Sequence, residues 1–397
     1  MRINVGIDIA KEIHWVTAID ADGVVRIDRK LLNTPADIAN LFDELTALPG
    51  AVRIGMDVIG GIAGLAEVML AQAGFAQAGF ALVHVPGIAV NRARQGTVGG
   101  ENKSDPRDAR TIAEQVRTRS DLRPIEAACE LDLEIRLLVG RRGDIVQAQT
   151  QRLSRMRDLL VGIFPSLEAC PDLKTKGPLH LLTKFVTPIE LRNAGKKRLV
   201  RHLQAAGGLP KVEELADRVL VVATKQNVVV PAERMTARLV RELAAEALAS
   251  RTRVIELDRE LEALLQRHPD VALIRSLPGM GAVLTAELIA EAGNLSRFRS
   301  ADALASAAGM APVLRQSGRT RFPRRPNGGN KSLKRGFYQS AFCLLAHDDS
   351  RAFYQRKRRE GKRHHQAVIA LARRRANVLW AVVHSQTPFQ TGFKTAA

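Results

Sequence analysis

The sequence predicts an α/β domain at the amino-terminal end, then a helical or coiled-coil arm, and then a basic, mainly α-helical domain. Three observations lead to this prediction. In the first 120 residues, short apolar segments rich in β-branched residues alternate with amphipathic segments. Residues 232–267 contain neither Pro nor Gly and have leucines at helical spacing. Residues 312–363 contain 15 Lys and Arg against 3 Asp and Glu, whereas residues 1–60 contain 6 against 9.

The first domain is predicted to begin with a meander of three strands. Residues 20–23 (DADG) form a hairpin turn between the second and third strands, and Thr34 with Pro35 starts the first helix. The predicted strands are 3–9, 15–19, 24–27, 52–58 and 81–85. The predicted helices are 35–48, 62–73 and one that begins at Asp105. This order, β-β-β-α-β-α-β-α, is typical of a ribonuclease-H-like fold.

The rest of the chain is predicted to be helical, with three regions of different character. Residues 126–164 have helical periodicity, and residues 165–230 hold most of the mid-chain Pro and Gly, which indicates a mixed helical insertion or linker. Residues 232–267 indicate a long helix or coiled-coil arm, which suits dimerisation or an interdomain strut. The predicted domains are 1–125, 126–268 and 269–397. A repeated AQAGF at 71–75 and 76–80 has no predicted function.

Charge and composition restrict the function. The net charge of +19 and pI of about 10.6 favour a polyanionic partner, because basic side chains neutralise phosphates and release counterions. Aromatic residues make up 4% of the sequence, so we do not expect base stacking to be the main mode of nucleic-acid binding. The three cysteines form no CxxC pair, which argues against a zinc site or disulfide framework. No membrane-spanning or signal segment is evident, which predicts a cytoplasmic protein with no membrane partner.

Four aspartates fall where strands end or a helix begins. Asp8 closes the first predicted strand and Asp57 lies near the end of the fourth, its neighbour in a ribonuclease-H-like sheet. Asp105 and Asp108 are three residues apart at a helix start and so share one face. Carboxylates are hard oxygen ligands that suit Mg²⁺, and two ions about 4 Å apart promote phosphodiester displacement. The four aspartates therefore predict a magnesium site, with two ions.

Each aspartate also has a purely structural interpretation. Asp105 before Pro106 is a good N-cap, and Asp108 at the third helical position favours the helix dipole. Asp8 could terminate any strand, and Asp57 could begin a turn. The start of GIDIAK at 6–11 also resembles the first strand of sugar kinases and actin-like ATPases. It lacks, however, the Gly/Ser/Thr-rich turn that is needed to bind a nucleotide phosphate. Such an ATPase is a distant alternative.

Several motifs in order along the chain resemble one family. GIDIAK at 6–11, the acidic residue and glycines at 57–61, NKSDPRDARTIAE at 102–114, LPGMG at 277–281 and GMAPVLRQSG at 309–318 resemble the DEDD transposases of the insertion-sequence 110 family. The resemblance covers both ends of the chain and constrains the middle only loosely. Asp57 departs from the pattern, since the family often has Glu there.

The resemblance implies a two-part DNA recombinase. Its amino-terminal domain would be similar to Holliday-junction resolvases and would use Asp8, Asp57, Asp105 and Asp108. Its carboxyl-terminal domain would supply a nucleophilic serine, which falls on Ser317. A noncoding bridge RNA would pair with donor and target DNA, and the protein would work as a homo-oligomer, a dimer or a tetramer.

The residues around Ser317 allow two interpretations by themselves. Ser317 with Gly318 could be a polar turn, or the serine could form a phosphoserine link while neighbouring arginines stabilise phosphorane charge. LPGMG followed by a helix over 282–292 is likewise either a helix-hairpin-helix motif, whose backbone N–H groups approach phosphate, or a plain turn. The predicted nucleic-acid contacts are Lys11, Lys103, Gly279, Gly281, Arg315, Arg319, Arg321, Arg324, Arg325, Lys331, Lys334 and Arg335.

Three hypotheses for function follow. The first is metal-dependent DNA strand transfer by an RNA-guided transposase. The second is a junction-resolving nuclease that uses the four carboxylates without a covalent intermediate on Ser317. The third is a nucleic-acid-binding protein without catalytic activity, which would show no metal-dependent cleavage.

Overall fold

The computed structural model describes residues 2–76, 80–97, 99–125 and 129–390. The chain divides into two compact units, residues 1–128 and 129–397. The predicted domain limit at 125 lies close to this division, whereas the predicted limit at 268 falls inside the second unit and stays a prediction. Among the described residues, no helix is both long and apolar enough to cross a bilayer.

The first unit is built on a mixed β-sheet, as the sequence predicts. Its strands are β1 (Arg2–Asp8), β2 (Ile13–Ile19), β3 (Val25–Leu32), β4 (Ala51–Met56), β5 (Phe80–His84) and β6 (Arg123–Pro124). The strand order is β3-β2-β1-β4-β5-β6, with β1 antiparallel to β2 and parallel to β4. The first and fourth strands are thus neighbours, as expected. The sequence analysis missed β6, which has only 2 residues and so no readable periodicity.

The described residues of this unit also form α-helices. They are α1 (Pro35–Thr46), α2 (Gly64–Ala76), α3 (Gly87–Gln95) and α4 (Asp105–Thr118). The Thr34 side chain accepts a hydrogen bond from the Asp37 amide, so the predicted cap of α1 is confirmed. The sequence analysis missed α3, because Pro86 looked like the end of a strand rather than a helix N-cap. The AQAGF repeat extends into 77–79, which lie outside the described residues.

Helix α4 packs unusually closely on β1 and β4. Gly6 and Gly55 are register partners on these two strands. A Cβ on Gly6 would lie 2.1 Å from the Ala109 carbonyl oxygen, and one on Gly55 would lie 2.4 Å from Cγ2 of Val116. Any larger residue at either position would push the helix off the sheet. This pair of glycines therefore fixes where α4 begins relative to the ends of β1 and β4.

The second unit is almost entirely helical. Its helices are α5 (Glu130–Ile163), α6 (Pro165–Ala169), α7 (Lys176–Leu182), α8 (Pro188–Ala205), α9 (Val212–Thr224), α10 (Glu233–Leu265), α11 (Val271–Ser276), α12 (Ala282–Ala292), α13 (Ala301–Ala307), α14 (Lys331–Cys343), α15 (Asp348–Arg359) and α16 (His364–Ser385). One apolar core joins α6–α9 to parts of α5 and α10, and another joins α11–α14 and α16 to the opposite ends of α5 and α10.

The long helix predicted at 232–267 is present as α10, and it lies antiparallel to α5. Arg142 pairs with Asp258 at 2.6 Å, and Arg152 pairs with Glu246 at 2.8 Å. The antiparallel pair connects the two cores of this unit. Coiled-coil packing and a role in dimerisation stay predictions.

A β-hairpin interrupts the helices of the second unit. It consists of β7 (Val313–Ser317) and β8 (Thr320–Arg324), and every residue of both strands is exposed. Gly318 has φ of 54° in the two-residue turn, a conformation that glycine adopts without strain. The sequence analysis missed this hairpin: Ser317 is the last residue of a strand, and the turn consists of Gly318 and Arg319.

We expect Gly6→Ala to destabilise the protein by about 3 kcal/mol, because the new Cβ meets the backbone of α4. The matched control is Gly64→Ala, since among the described residues no atom lies within 4 Å of its added Cβ. The control should change stability by less than about 1 kcal/mol. Urea denaturation of both variants measures the difference, and equal stability of the two would contradict the close packing of α4.

Candidate active site

Asp8 and Asp57 emerge at the same edge of the sheet. Asp8 is the last residue of β1, and Asp57 directly follows β4, where Ile7 and Met56 are register partners. The amide of Ile9 donates to Oδ1 of Asp57 at 3.3 Å, which ties the two strand ends together. The first turn of α4 carries the other two acidic residues, Asp105 and Asp108. The structure thus places Asp8 and Asp57 at one edge of the sheet, and the predicted four-residue site stays a prediction.

The electrostatics show that the four carboxylates act on one another. The pKa of Asp8 is raised from 3.8 to about 7, first by burial and then by the charges of Asp57, Asp108 and Asp105. Lys103 opposes this rise. Burial also raises the pKa of Asp57, with a further contribution from Asp108, while the hydrogen bond from Ile9 opposes it. The site therefore holds more negative charge than its own cations balance.

The start of α4 differs in detail from the prediction. Ser104 is the N-cap and Asp105 is the first helical residue, so Asp105 does not cap the helix. The reason is that the amide of Asp108 donates to the Ser104 carbonyl, which closes the first turn one residue earlier. Asp105 is consequently left at the helix start with its carboxylate available to the site.

Arg94 of α3 is a residue of the site that the sequence analysis missed. It is 8% exposed, and its Nε lies 2.9 Å from Oδ1 of Asp108. Its other nitrogens donate to the Gly100 carbonyl and to Oδ1 of Asn91. Arg94 thus holds Asp108 and the segment before α4 together. No sequence motif marks Arg94. A basic residue in the helix that precedes an acidic pair is nevertheless a reason to test for an ion pair between them.

The donor chemistry of this edge fits a hard divalent cation. Carboxylates offer oxygen ligands, and the pKa of Asp8 is raised first by burial and then by neighbouring charges that a bound cation would offset. Asp108 points to Arg94. Within the described part of the chain, no three acidic, His or Cys side chains are arranged to hold one ion.

Two predicted basic contacts lie in this unit. Lys11 is exposed in the connection between β1 and β2, and its carbonyl accepts a hydrogen bond from Asn33. Lys103 is exposed just before α4, and its charge reaches Asp8. The sequence analysis missed His14, which is buried and accepts a hydrogen bond from the Ala10 amide at Nδ1, so that it holds the connection after Asp8.

The hairpin in the second unit sorts its residues onto two faces. Ser317 pairs with Thr320, Arg315 with Phe322 and Val313 with Arg324, so these side chains share one face. Gln316 pairs with Arg321 on the opposite face. Of the two arginines flanking Ser317 within the strands, Arg315 therefore shares its face and Arg321 does not. The third, Arg319, is exposed in the turn.

The remaining basic residues after the hairpin differ in availability. Arg325 and Lys331 are exposed. The ammonium of Lys334 donates to the Gly309 carbonyl at 2.8 Å, and its pKa is lowered by burial and by Arg325. Arg335 lies 3.3 Å from Glu287. Lys334 thus helps to fix the base of the hairpin, an internal role that differs from the predicted phosphate contact.

The LPGMG segment forms the turn between α11 and α12, and α12 has the predicted bounds. Gly279 has φ of 77°, and its carbonyl accepts from Ser340 of α14. Buried Arg375 donates to the Pro278 carbonyl at 2.7 Å, and burial lowers its pKa to about 10. Gly281 is exposed at the N-cap of α12. Two carbonyls of this turn, those of Pro278 and Gly279, thus accept hydrogen bonds from within the second unit, while Gly281 is exposed.

Comparison with known proteins gives matches along the whole chain. Residues 5–165 match a family model described as Transposase, of the DEDD IS110 type, and residues 271–355 match the Transposase IS116/IS110/IS902 family. The chain is 40% identical to the insertion element IS116 uncharacterized 44.8 kDa protein of Streptomyces clavuligerus, over 98% of this chain and 96% of the relative. It is 37% identical to the insertion element IS900 uncharacterized 42 kDa protein of Mycobacterium paratuberculosis, over 99% of this chain and 98% of the relative.

A more distant relative is the mini-circle putative transposase for IS117 of Streptomyces coelicolor, which is 28% identical over 90% of this chain and 88% of the relative. Among solved structures, T. thermophilus RuvC in complex with Holliday junction substrate has a TM-score of 0.25 and 16% identity, over 32% of this chain and 100% of that chain. A score of this size does not establish a shared fold, so the strand order remains the basis for the fold of the first unit.

We expect Asp8→Asn to stabilise the metal-free protein at pH 8 and to have little effect below about pH 4. The folded protein holds the Asp8 proton up to a pKa of about 7, against 3.8 ordinarily, so stability falls as pH rises between these values. After allowance for solvent screening of this half-exposed group, we expect the melting temperature at pH 8 to rise by about 2–4 °C.

Thermal melts in chelator at pH 8 and at pH 5 measure this effect. Asp22→Asn is the control, because Asp22 is an exposed carboxylate in the β2–β3 turn. The same gain in both variants, or a larger gain for Asp8→Asn at pH 5 than at pH 8, would contradict carboxylate repulsion at Asp8.

Proposed function

The chain belongs to the IS116/IS110/IS902 family of insertion-sequence transposases, and we propose that it cuts and rejoins DNA with metal-binding carboxylates and a serine nucleophile. The observation that carries the proposal is that three further carboxylates act on half-buried Asp8, whose pKa burial and their charges raise to about 7. A cluster of this kind opposes folding, so it is expected where function requires it. The family assignment also favours a transposase over an actin-like ATPase.

The carboxylates Asp8, Asp57, Asp105 and Asp108 would hold Mg²⁺, in our proposal two ions. When bound, Mg²⁺ supplies charge stabilisation at a phosphodiester undergoing displacement. The protein's own contribution is to fix the ligands: β1 and β4 present Asp8 and Asp57, and α4 presents the other pair. Arg94 orients Asp108 and reduces the repulsion within the site. Lys103 adds a positive charge near Asp8, where a DNA phosphate would also be attracted.

In the second unit, Ser317 would act as the nucleophile. Its Oγ loses a proton and forms a bond to phosphorus, while one phosphorus–oxygen bond to deoxyribose breaks and the released sugar oxygen takes up a proton. Attack on the phosphoserine by a sugar hydroxyl of another DNA end reverses these changes and rejoins the strands. Arg315 on the same face would stabilise the charge that develops on the phosphate oxygens.

The basic surface supports DNA and a guide RNA as partners. Residues 312–363 contain 15 Lys and Arg against 3 Asp and Glu. The exposed hairpin and the exposed Arg325 and Lys331 lie in this stretch. We propose donor and target DNA as substrates, a noncoding RNA as the guide, and a homo-oligomer, a dimer or tetramer, as the working form. RNA sequencing of nucleic acid that copurifies with the protein tests for the guide.

A junction-resolving nuclease is the second candidate function. The four carboxylates lie in the first unit and Ser317 in the second, so the carboxylates could cleave DNA without the serine. This alternative predicts metal-dependent cleavage without a covalent adduct between protein and DNA. A protein that only binds nucleic acid would show neither reaction.

We expect Asp105→Asn to lower DNA cleavage by roughly a hundredfold or more, since it removes a charged ligand from the site. Ser317→Ala should abolish the covalent adduct and recombination. Cleavage of a labelled DNA end and denaturing gels of the adduct measure both outcomes.

The controls for these variants are Asp22→Asn and Ser296→Ala, two exposed positions away from both sites. Recombination by Ser317→Ala would disprove the nucleophile. Cleavage without any adduct in the unaltered protein would support the junction-resolving nuclease instead. Undiminished cleavage by Asp105→Asn would remove Asp105 from the metal site.

The two faces of the hairpin give a sharper test of the serine. Arg315→Ala should slow adduct formation at saturating DNA by about tenfold to a hundredfold, because Arg315 shares the face of Ser317. Arg321→Ala, on the other face, should weaken DNA affinity with little change in this rate. The dependence of adduct rate on DNA concentration separates the two effects. An equal loss of rate in both variants would mean that the faces of the hairpin are not distinguished.

A further inference from the structure

Three aromatic and two histidine side chains of the second unit lie together on α14, α15 and the start of α16. The chain has 2 tyrosines, and both lie here, on α14 and α15. The Tyr338 hydroxyl lies 2.9 Å from Nδ1 of His365, and the Tyr354 hydroxyl lies 2.9 Å from Nδ1 of His364. The rings of Phe342 and His364 are 6.3 Å apart. We call these five residues the aromatic–histidine cluster.

The cluster lies at the surface. Phe342 is 46% exposed and His365 is exposed, while the other three rings are partly exposed. No residue of α15, all of which the structure describes, is buried. The two tyrosines pack partly against the apolar core of this unit, and the tyrosine–histidine hydrogen bonds hold their rings in place. The exposed rings, those of Phe342 and His365, are suited to stacking with planar groups of a ligand.

The same helix carries a dense positive charge. Its last turn holds Arg356, Lys357, Arg358 and Arg359, followed by Lys362 and Arg363. Glu360 contacts Arg356, Lys357 and Lys362 within 4.0 Å. Among the described residues, Arg358, Arg359 and Arg363 make no contact with a carboxylate at salt-bridge distance. Arg358 also lies one turn after Tyr354 and so shares its face of α15.

We propose that the aromatic–histidine cluster and the basic end of α15 bind unpaired nucleotides of a nucleic acid. Exposed rings supply stacking for bases, and the adjacent arginines supply contacts for the phosphates between them. A duplex offers phosphates but keeps its bases stacked inside, so it can use only half of this surface. An acidic protein would use the charges but would leave the rings without a planar partner. This surface includes neither Ser317 nor any of the four carboxylates, and its binding requires no cleavage.

The test is binding by the full-length protein in chelator, where no metal-dependent cleavage occurs. The probes are labelled oligouridine RNA and oligothymidine DNA of about 20 nucleotides, with a DNA duplex of the same length. Phe342→Ala should weaken binding of the single strands by about fivefold to fiftyfold and binding of the duplex by less than about twofold. The dependence of affinity on salt should keep its slope, because no phosphate contact is removed.

Two further variants separate stacking from folding. Tyr338→Phe keeps the ring and should bind single strands within about twofold of the unaltered protein, whereas Tyr338→Ala should lose affinity as Phe342→Ala does. Val221→Ala, an exposed apolar residue of α9, is the control and should leave binding unchanged. Thermal melts establish that each variant is folded.

Equal weakening for RNA and DNA would identify bases as the recognised feature, and weakening for RNA alone would identify RNA as the occupant. Unchanged single-strand binding by folded Phe342→Ala would overturn the proposal. An equal loss for the duplex would also overturn it. Because Asp105→Asn and Ser317→Ala leave this surface intact, they should bind the single strands normally even if the proposed catalytic roles are wrong.

Discussion

The close contact between α4 and the glycine pair on β1 and β4 is the constraint on which the candidate metal site depends. Gly6 and Gly55 are register partners, and the space above them is filled by the backbone and side chains of α4. This contact places the first turn of α4 beside the ends of both strands. Asp105 and Asp108 are thereby brought within electrostatic range of Asp8, which the raised pKa of Asp8 reflects. A larger residue at either glycine would separate the two pairs of carboxylates.

The same contact creates a problem of charge. Four carboxylates at one half-buried edge repel one another, and burial adds to the free energy of ionising Asp8 and Asp57. Arg94 balances Asp108 through a contact that is itself nearly buried, and Lys103 acts on Asp8 from the surface. These two cations leave a net negative charge. In our proposal, a bound cation would offset this charge and recover the stability that it removes.

The parts of this site that were predictable are those set by local pattern. Apolar residues at every second position and short apolar runs predicted the strands. Because β1 and β4 are parallel neighbours, their ends predicted that Asp8 lies beside Asp57. Gly6, Gly55 and Arg94 could not be assigned in this way. The two glycines matter because they contact α4, which lies about 50 residues or more further along the chain. Arg94 matters because of a contact between two helices. The hairpin was missed for another reason. Its strands are wholly exposed, so they lack the apolar alternation that marks a half-buried strand.

The exposed hairpin and the aromatic–histidine cluster, for which we propose contacts with nucleic acid, differ in how their geometry is fixed. On the hairpin, cross-strand pairing puts Ser317 and Arg315 on one face and Arg321 on the other, so the backbone determines which charges lie near the hydroxyl. In the cluster, hydrogen bonds between tyrosine and histidine orient rings, and the charges lie at the end of α15, the helix that carries Tyr354. Charge alone attracts any nucleic acid and is weakened by salt. If the two proposals hold, the fixed geometry of the serine face and of the rings would distinguish a phosphate that is attacked from a base that is bound.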